Sequence, residues 1–178
     1  MDTRDAFEEF VRGRSAHLFR LALALSGWNE AAAQDLLQIA LERAYRRRRQ
    51  LFRDAGAEPY VRRVLVNAAI DWRRALRRRG EQPLTADAED LTVEDRTEQV
   101  ADRDLLVRAL KDLPPRQRAV VVMRYWEDLT DAQIAAALNC SAGTVRSQAS
   151  RALARLRQLT GTSSPSRYSE AGERDERS

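Results

Sequence analysis

Residues 144–157 carry the side chains best suited to chemistry, and that chemistry is recognition rather than bond-making. Arg146, Ser147, Ser150, Arg151, Arg155 and Arg157 share one side of a helical projection, with Gln148 on its flank. An arginine fork can donate to two acceptors at once, on a guanine edge or on a phosphate, and a glutamine amide matches an adenine edge. The opposite side collects Val145, Ala149, Ala152, Leu153 and Leu156, a stripe fit to pack on a neighbouring helix. Catalysis has little to work with. His17 and Cys140 are the chain's one histidine and one cysteine. There is no metal-spaced cluster of His, Cys and Asp, no nucleophile elbow and no glycine-rich phosphate loop. A lone helical histidine reads as packed or solvated, and a lone cysteine in a turn as a small packing residue. The sequence assigns no catalytic residue, no metal and no cofactor.

The recognition face needs a partner helix to hold it. Thr130-Asp131-Ala132-Gln133 has the form of a capping box, a hydroxyl at the N-cap with a glutamine three residues on. Ile134 and Leu138 are spaced to face inward, and Ala135 and Ala136 are small enough for a close crossing. Asn139-Cys140-Ser141 is a short polar turn, with Ser141 placed to cap the next helix. Two helices joined in this way form a helix-turn-helix, the second in the reading position. Upstream, Asp112-Leu113-Pro114-Pro115 breaks the chain and Pro115 suits a helix start. The helix expected over 116–126 has a buried stripe from Val120, Val121, Met123 and Tyr125 or Trp126; both aromatics are read as core.

The N-terminal half is also helical. Phe7, Phe10, Val11, Leu18, Leu21 and Leu25 lie on one stripe, and Gly27 supplies a left-handed stop. Asn29 caps a second helix with Leu36, Leu37, Ala40, Leu41 and Ala44 inward, followed by a loop from Leu51. Pro59 opens a third helix that ends near Gly80. Val61, Val64, Leu65, Ala68, Trp72, Ala75 and Leu76 share its apolar face. Arg63, Asn67, Arg74 and Arg77 share the opposite one, interrupted by Ile70.

Charge divides the chain the same way. The net +4 of 178 residues hides opposed blocks. Residues 1–80 hold 17 basic and 10 acidic side chains, a balance of +7. Residues 81–104 hold 2 and 9, residues 105–159 hold 9 and 4, and residues 160–178 hold 3 and 4. Basic blocks on either side of an acidic one point to a polyanionic partner. A 33% charged share and the absence of a long apolar run exclude a membrane span from the expected architecture. No signal peptide is read at the start, so an intracellular site is expected. The fold class is all-α. Two small helical domains, 1–80 and 105–159, are joined by a flexible acidic linker, 81–104, and followed by a disordered polar tail, 160–178.

Three stretches resemble the extracytoplasmic-function (group IV) sigma factors of bacterial RNA polymerase. AAAQDLLQIALERAYRRRRQLF looks like the family's polymerase-binding helix. PYVRRVLVNAAIDWRRALRRR is similar to the helix that reads and opens the minus-ten element. LPPRQRAVVVMRYWEDLTDAQIAAALNCSAGTVRSQASRALARLR is similar to the domain that reads the minus-thirty-five element. The ending SQASRALARLR looks most like the SigE-like actinobacterial subgroup. The resemblance implies a non-enzymatic factor that binds the beta and beta-prime subunits of core polymerase, directs it to promoter DNA and helps melt the start region. It also implies a cytoplasmic, nucleoid-associated protein, with an anti-sigma factor as a further candidate partner.

Residue by residue, the resemblance places Asp35 and Gln38 against polymerase with Arg43 beside them, although Ile39 stands where the family often has an acid. It places Asn67 at the base turned out of the stack, a task for which an amide that both donates and accepts is suited. Arg63, Arg73, Arg74, Arg77 and Arg78 become candidates for backbone phosphates. Phe52 aligns with a loop aromatic that either stacks on a base or closes the loop as core, while the phase of Trp72 makes it core. Thr144, Arg146, Ser147, Gln148, Ser150 and Arg151 match promoter-facing positions, with Arg155 on the same side. Family members often carry arginine at the position of Gln148 and a bulkier residue at that of Ser150, so the sequence preference is this chain's own. Two rival readings remain at this point. A dimeric regulator accounts for the C-terminal half alone, and a helical interaction module accounts for the helices alone. By hypothesis, the acidic linker mimics nucleic acid inside polymerase. Neutralising the acids of 81–100 is then expected to change the yield of abortive transcripts, and an unchanged yield contradicts it.

Overall fold

The computed structural model describes residues 2–53, 56–81 and 98–161, the first six of the last stretch by their backbone. The body of the expected linker, 82–97, and of the expected tail, from 162, lies outside the described residues. Among those residues the secondary structure is helical throughout, without a strand. Helix α1 (Thr3–Ser26) starts where the Asp2 carboxylate accepts from Arg4 N, and stops at Gly27, which is left-handed at φ 78°. Helix α2 (Glu30–Arg46) is capped by Asn29, whose Oδ1 accepts from Ala32 N at 2.8 Å. A short helix α3 (Arg48–Leu51) precedes the expected loop and takes in its first residue. Helix α4 (Ala57–Arg79) ends at Gly80 in the left-handed region.

Helix α5 (Glu98–Lys111) begins inside the segment expected to be linker. Helix α6 starts at Pro115, and here the sequence expectation of one helix over 116–126 fails. After α6 (Pro115–Val121) the chain widens into a π segment (Val122–Trp126), with Glu127 N donating to Val122 O five residues back. A π turn rotates later side chains out of α-helical phase. Met123 therefore stays buried while Tyr125 and Trp126, read as core, are 60% and 46% exposed. Helix α7 (Asp131–Leu138) has the expected capping box between Thr130 and Gln133. Asn139, left-handed at φ 50°, turns the chain into α8 (Ala142–Thr160), capped by Ser141.

The helices α1, α2 and α4 pack on one another through Leu18, Leu21, Leu36, Val61 and Leu65. The same contiguous core continues into Val120 and Met123, then Ile134 and Val145, so α6, the π segment, α7 and α8 join it. A second cluster, with Leu110, Leu113, Val121, Ala152 and Leu156, seats α5 on α8, and Trp28 touches both clusters. Trp72 is half-buried against the main core, as its phase implies. Val66 and Ile70 depart from a one-faced helix. Both are buried, because α6 and α7 cover the side of α4 that a single small domain would leave wet.

Gly27 and Gly13 test this packing in opposite directions. A Cβ on Gly27 would sit 2.9 Å from Arg118 Nη1 at a positive φ, whereas one on Gly13, inside α1, meets nothing within 4 Å. Gly27→Ala is expected to destabilise by about 1–3 kcal/mol, and Gly13→Ala to stabilise by about 0.5–1 kcal/mol. Urea denaturation followed by circular dichroism reads both; the same sign for the two changes contradicts the packing.

Candidate nucleic-acid interface

Helix α8 presents the face expected of a reading helix. Ser141 Oγ accepts from Thr144 N at 3.0 Å and lies 2.9 Å from Thr144 Oγ1, which fixes the first turn. Val145, Ala149, Ala152 and Leu156 are buried. Arg146, Ser147, Ser150, Arg151 and Arg155 are exposed, and Thr144 and Gln148 are half-buried. Among the described residues, no carboxylate pairs with Arg146, Arg151 or Arg155. Their forks are thus free to meet phosphates or base edges without first breaking an ion pair. Helix α7 is fixed for its supporting role by an ion pair between Arg124 of the π segment and Asp131 in its first turn.

Helix α4 carries the second polar face. Arg63, Arg74, Arg77 and Arg78 are exposed, and the guanidinium of Arg63 lies 5.7 Å from the centre of the Tyr60 ring. Asn67 and Arg73 are partly taken up within the chain. The Asn67 amide donates to Arg63 O at 2.8 Å and to Ala137 O, at the end of α7, at 2.9 Å. Arg73 Nη2 donates to Lys111 O at 3.2 Å, and burial, with the nearby Arg77, pulls the Arg73 pKa down. Phe52 is half-buried and meets Phe7 and Phe10 edge to face, at centroid distances of 6.1 and 5.8 Å. The structure thus gives Phe52 the loop-closing contacts.

Asp35, Gln38, Arg43 and Ile39 are exposed on α2. Gln38 lines a mostly apolar groove of about 510 Å³ between α1 and α2, together with Phe7, Phe19, Leu37, Leu41 and Tyr45. A second apolar groove, about 470 Å³, lies between α5, the π segment and α8. Leu106, Tyr125 and Trp126 are exposed along it, over a floor that includes Leu110, Val121 and Leu156. Sequence reasoning missed this groove because α-helical phase turns both aromatics inward.

Arg118 is the other residue that sequence reasoning passed over. It is wholly buried. Its guanidinium donates to the carbonyls of Leu110 (2.7 Å), Leu25 (3.2 Å) and Leu113 (3.4 Å), and also to that of Lys111. Burial, followed by repulsion from Arg73 and Arg77, lowers its pKa to about 9, so it remains a cation at neutral pH. The one available signal was its place in Leu-Pro-Pro-Arg-Gln-Arg, just after a helix end whose carbonyls need donors. Among the described residues no group of three His, Cys, Asp or Glu side chains could hold a metal ion. No described helix is long and apolar enough to cross a membrane.

Residues 103–156 match the family model for sigma-70, region 4. RNA polymerase sigma-E factor of Streptomyces avermitilis is 48% identical over 152 residues, covering 85% of this chain and 83% of that protein. The ECF RNA polymerase sigma factor SigM of Mycobacterium tuberculosis is 39% identical over 159 residues, covering 89% and 79%. Among solved structures, the sigma factor RpoE in complex with the anti-sigma factor NepR, from Bartonella quintana, superposes with a TM-score of 0.66 at 20% identity. The match covers 89% of this chain and 99% of that one.

The π segment's effect on burial can be checked directly. Tyr125→Ala is expected to cost less than about 1 kcal/mol, and Met123→Ala, two residues earlier in the same segment, about 2–5 kcal/mol. Similar losses in urea unfolding contradict the outward placement of Tyr125.

Proposed function

The chain belongs to the extracytoplasmic-function sigma factors of RNA polymerase, and from that membership we propose how its surfaces divide the work of starting transcription. As a sigma factor it binds core polymerase and directs promoter-specific initiation. Its own contribution is binding, orientation and strand opening, with no catalytic residue of its own. Action on promoter DNA together with polymerase places that work in the cytoplasm, at the nucleoid.

We assign residues 1–80 to polymerase binding and to the minus-ten element, 81–104 to the linker, and 105–159 to the minus-thirty-five element. The observation that carries the reading is a pair of arginine faces on two helices, each backed by a buried stripe. Helix α8 enters the major groove, where Arg146, Gln148 and Arg151 read base edges. Thr144, Ser147, Ser150 and Arg155 contact the flanking backbone. On α4, Asn67 takes the flipped base through both faces of its amide, and Arg63, Arg74, Arg77 and Arg78 hold phosphates. Arg73 joins them once its bond to Lys111 is released. Phe52 stacks on a base only if it leaves its contacts with Phe7 and Phe10.

Asp35, Gln38 and Arg43, beside the groove between α1 and α2, form the polymerase contact of the N-terminal half. The groove edged by Leu106, Tyr125 and Trp126 accepts an apolar helical element of polymerase in the C-terminal half. An anti-sigma factor is a further candidate partner, on the analogy of the sigma factor found in complex with NepR.

Run-off transcription with purified core polymerase and genomic promoter fragments tests the function. Discrete promoter-dependent transcripts are expected, and none from any fragment contradicts it. Arg146→Ala and Arg151→Ala are each expected to weaken promoter binding by about 1–3 kcal/mol with the fold intact. The loss should shrink at high salt, because part of it is phosphate attraction. Wild-type affinity in both variants removes α8 from the reading role.

A further inference from the structure

A cleft of about 410 Å³ lies between the start of α4 and helix α7. Pro59 and Tyr60 line one side of it, Ala136 and Ala137 the other, and Arg62, Arg63 and Gln133 supply its polar atoms. Arg62 is committed within the chain, to Glu58 at 3.1 Å and to the buried Glu127 at 3.0 Å. Arg63 is not. It is exposed, with its guanidinium 5.7 Å from the centre of the Tyr60 ring. Arg47, at the end of α2, brings a second exposed guanidinium to 5.6 Å from the centre of the same ring. Among the described residues, no carboxylate pairs with Arg47 or Arg63.

Two unpaired cations beside one aromatic ring repel each other, and an oxyanion placed between them relieves the repulsion. A guanidinium fork donates to a phosphate through two parallel bonds, and a diphosphate has oxygens enough for two forks. The apolar sides of the cleft take a flat ring, for which Tyr60 supplies a stacking partner. Gln133 adds an edge contact. Its Oε1 accepts from Thr130 N at 2.9 Å, whereas its amide nitrogen, without a protein partner among the described residues, can donate to a ring nitrogen or carbonyl. The volume is at the lower end of the range for small-molecule sites, about 300–1,000 Å³. It suits one nucleotide. A nucleic-acid strand needs an open groove that tracks its backbone, and here α7 stands across the cleft.

We propose that this cleft binds a free purine nucleoside diphosphate. The base lies between Tyr60 and the alanines of α7, with its edge on the Gln133 amide, and the diphosphate bridges Arg47 and Arg63. A purine has the larger stacking area of the two base classes. The bound nucleotide touches α4 and α7 at once and stabilises the folded chain by linkage. The inference does not rest on the promoter reading, with which it shares Arg63 alone.

The test is equilibrium dialysis of the full chain with ADP and GDP as probes. Adenosine, guanosine, inorganic pyrophosphate and a short single-stranded DNA are measured in separate arms. Saturable binding of ADP or GDP is expected. The nucleosides and pyrophosphate are each expected to bind at least about tenfold more weakly, since each keeps only part of the contacts. Arg47→Gln is expected to weaken the nucleotide about 10- to 100-fold, the worth of a charge-assisted hydrogen bond. Ala136→Trp, which fills the cleft, is expected to abolish binding. Arg47 and Ala136 are both exposed, so neither change disturbs the core, and circular dichroism checks the fold of each variant. No saturable binding, or binding that both variants leave unchanged, overturns the site. Single-stranded DNA bound as tightly as the nucleotide, with the same loss in Ala136→Trp, overturns the assignment to a free nucleotide.

Discussion

Arg118 carries a positive charge into the junction where α1, α5 and α6 meet, and it does so fully buried. A cation there survives because carbonyls surround it: those of Leu110, Lys111 and Leu113 from the end of α5 and the turn after it, and that of Leu25 from the end of α1. Helix C-termini carry partial negative charge and unsatisfied acceptors, so one guanidinium serves two helix ends. Its planar fork has enough donors for several carbonyls, which an ammonium could not reach from one position. The neighbouring cations Arg73 and Arg77 oppose it, and the carbonyls are its counterweight. This contact sets the direction in which α6 leaves the Pro114–Pro115 turn. The direction of α6 in turn orients the π segment that continues from it, and with it α7 and α8. Gly27 belongs to the same arrangement, since its missing Cβ leaves the room that the guanidinium fills.

From that junction the two arginine faces acquire their roles. The chain's modest net charge of +4 is a poor guide to them, because it averages blocks of opposite sign. The exposed guanidiniums on α4 and α8 are backed by apolar stripes that fix helix orientation without using the polar side. In the proposed reading, phosphate attraction supplies reach and the base edges supply choice, so a grip at two places multiplies specificity beyond what either helix provides alone. Asn67 and Arg73 of the α4 face are instead tied to carbonyls of the C-terminal half.

Local signals were legible in the sequence wherever the controlling interaction spans only a few residues. Gly27 as a left-handed stop, a helix end near Gly80, Asn29 and Ser141 as caps, and the Thr130–Gln133 box all appear in the structure. So does the apolar stripe of α8, because a single helix and one neighbour determine it. What escaped was set by contacts distant in sequence. Ile70 looked like an intruder in a polar row until α6 and α7 covered it. Tyr125 and Trp126 were misplaced because a π turn shifts phase without a sequence mark. Glu127 carries no mark in the sequence, yet it is buried against Arg62 and His17, 65 and 110 residues away. Among the site residues, the free arginines of α8 were legible from phase alone, whereas the engagement of Asn67 and Arg73 with the other half was not.

The central claim is a division of labour, with α8 holding the upstream element and Asn67 of α4 serving the opened one. Permanganate probing combined with footprinting of the holoenzyme on one promoter fragment, wild type beside Asn67→Ala, tests it most directly. The account predicts that upstream protection survives in the variant while the permanganate-reactive thymines of the opened start region disappear. Wild-type opening in Asn67→Ala, or loss of upstream protection together with opening, would contradict it.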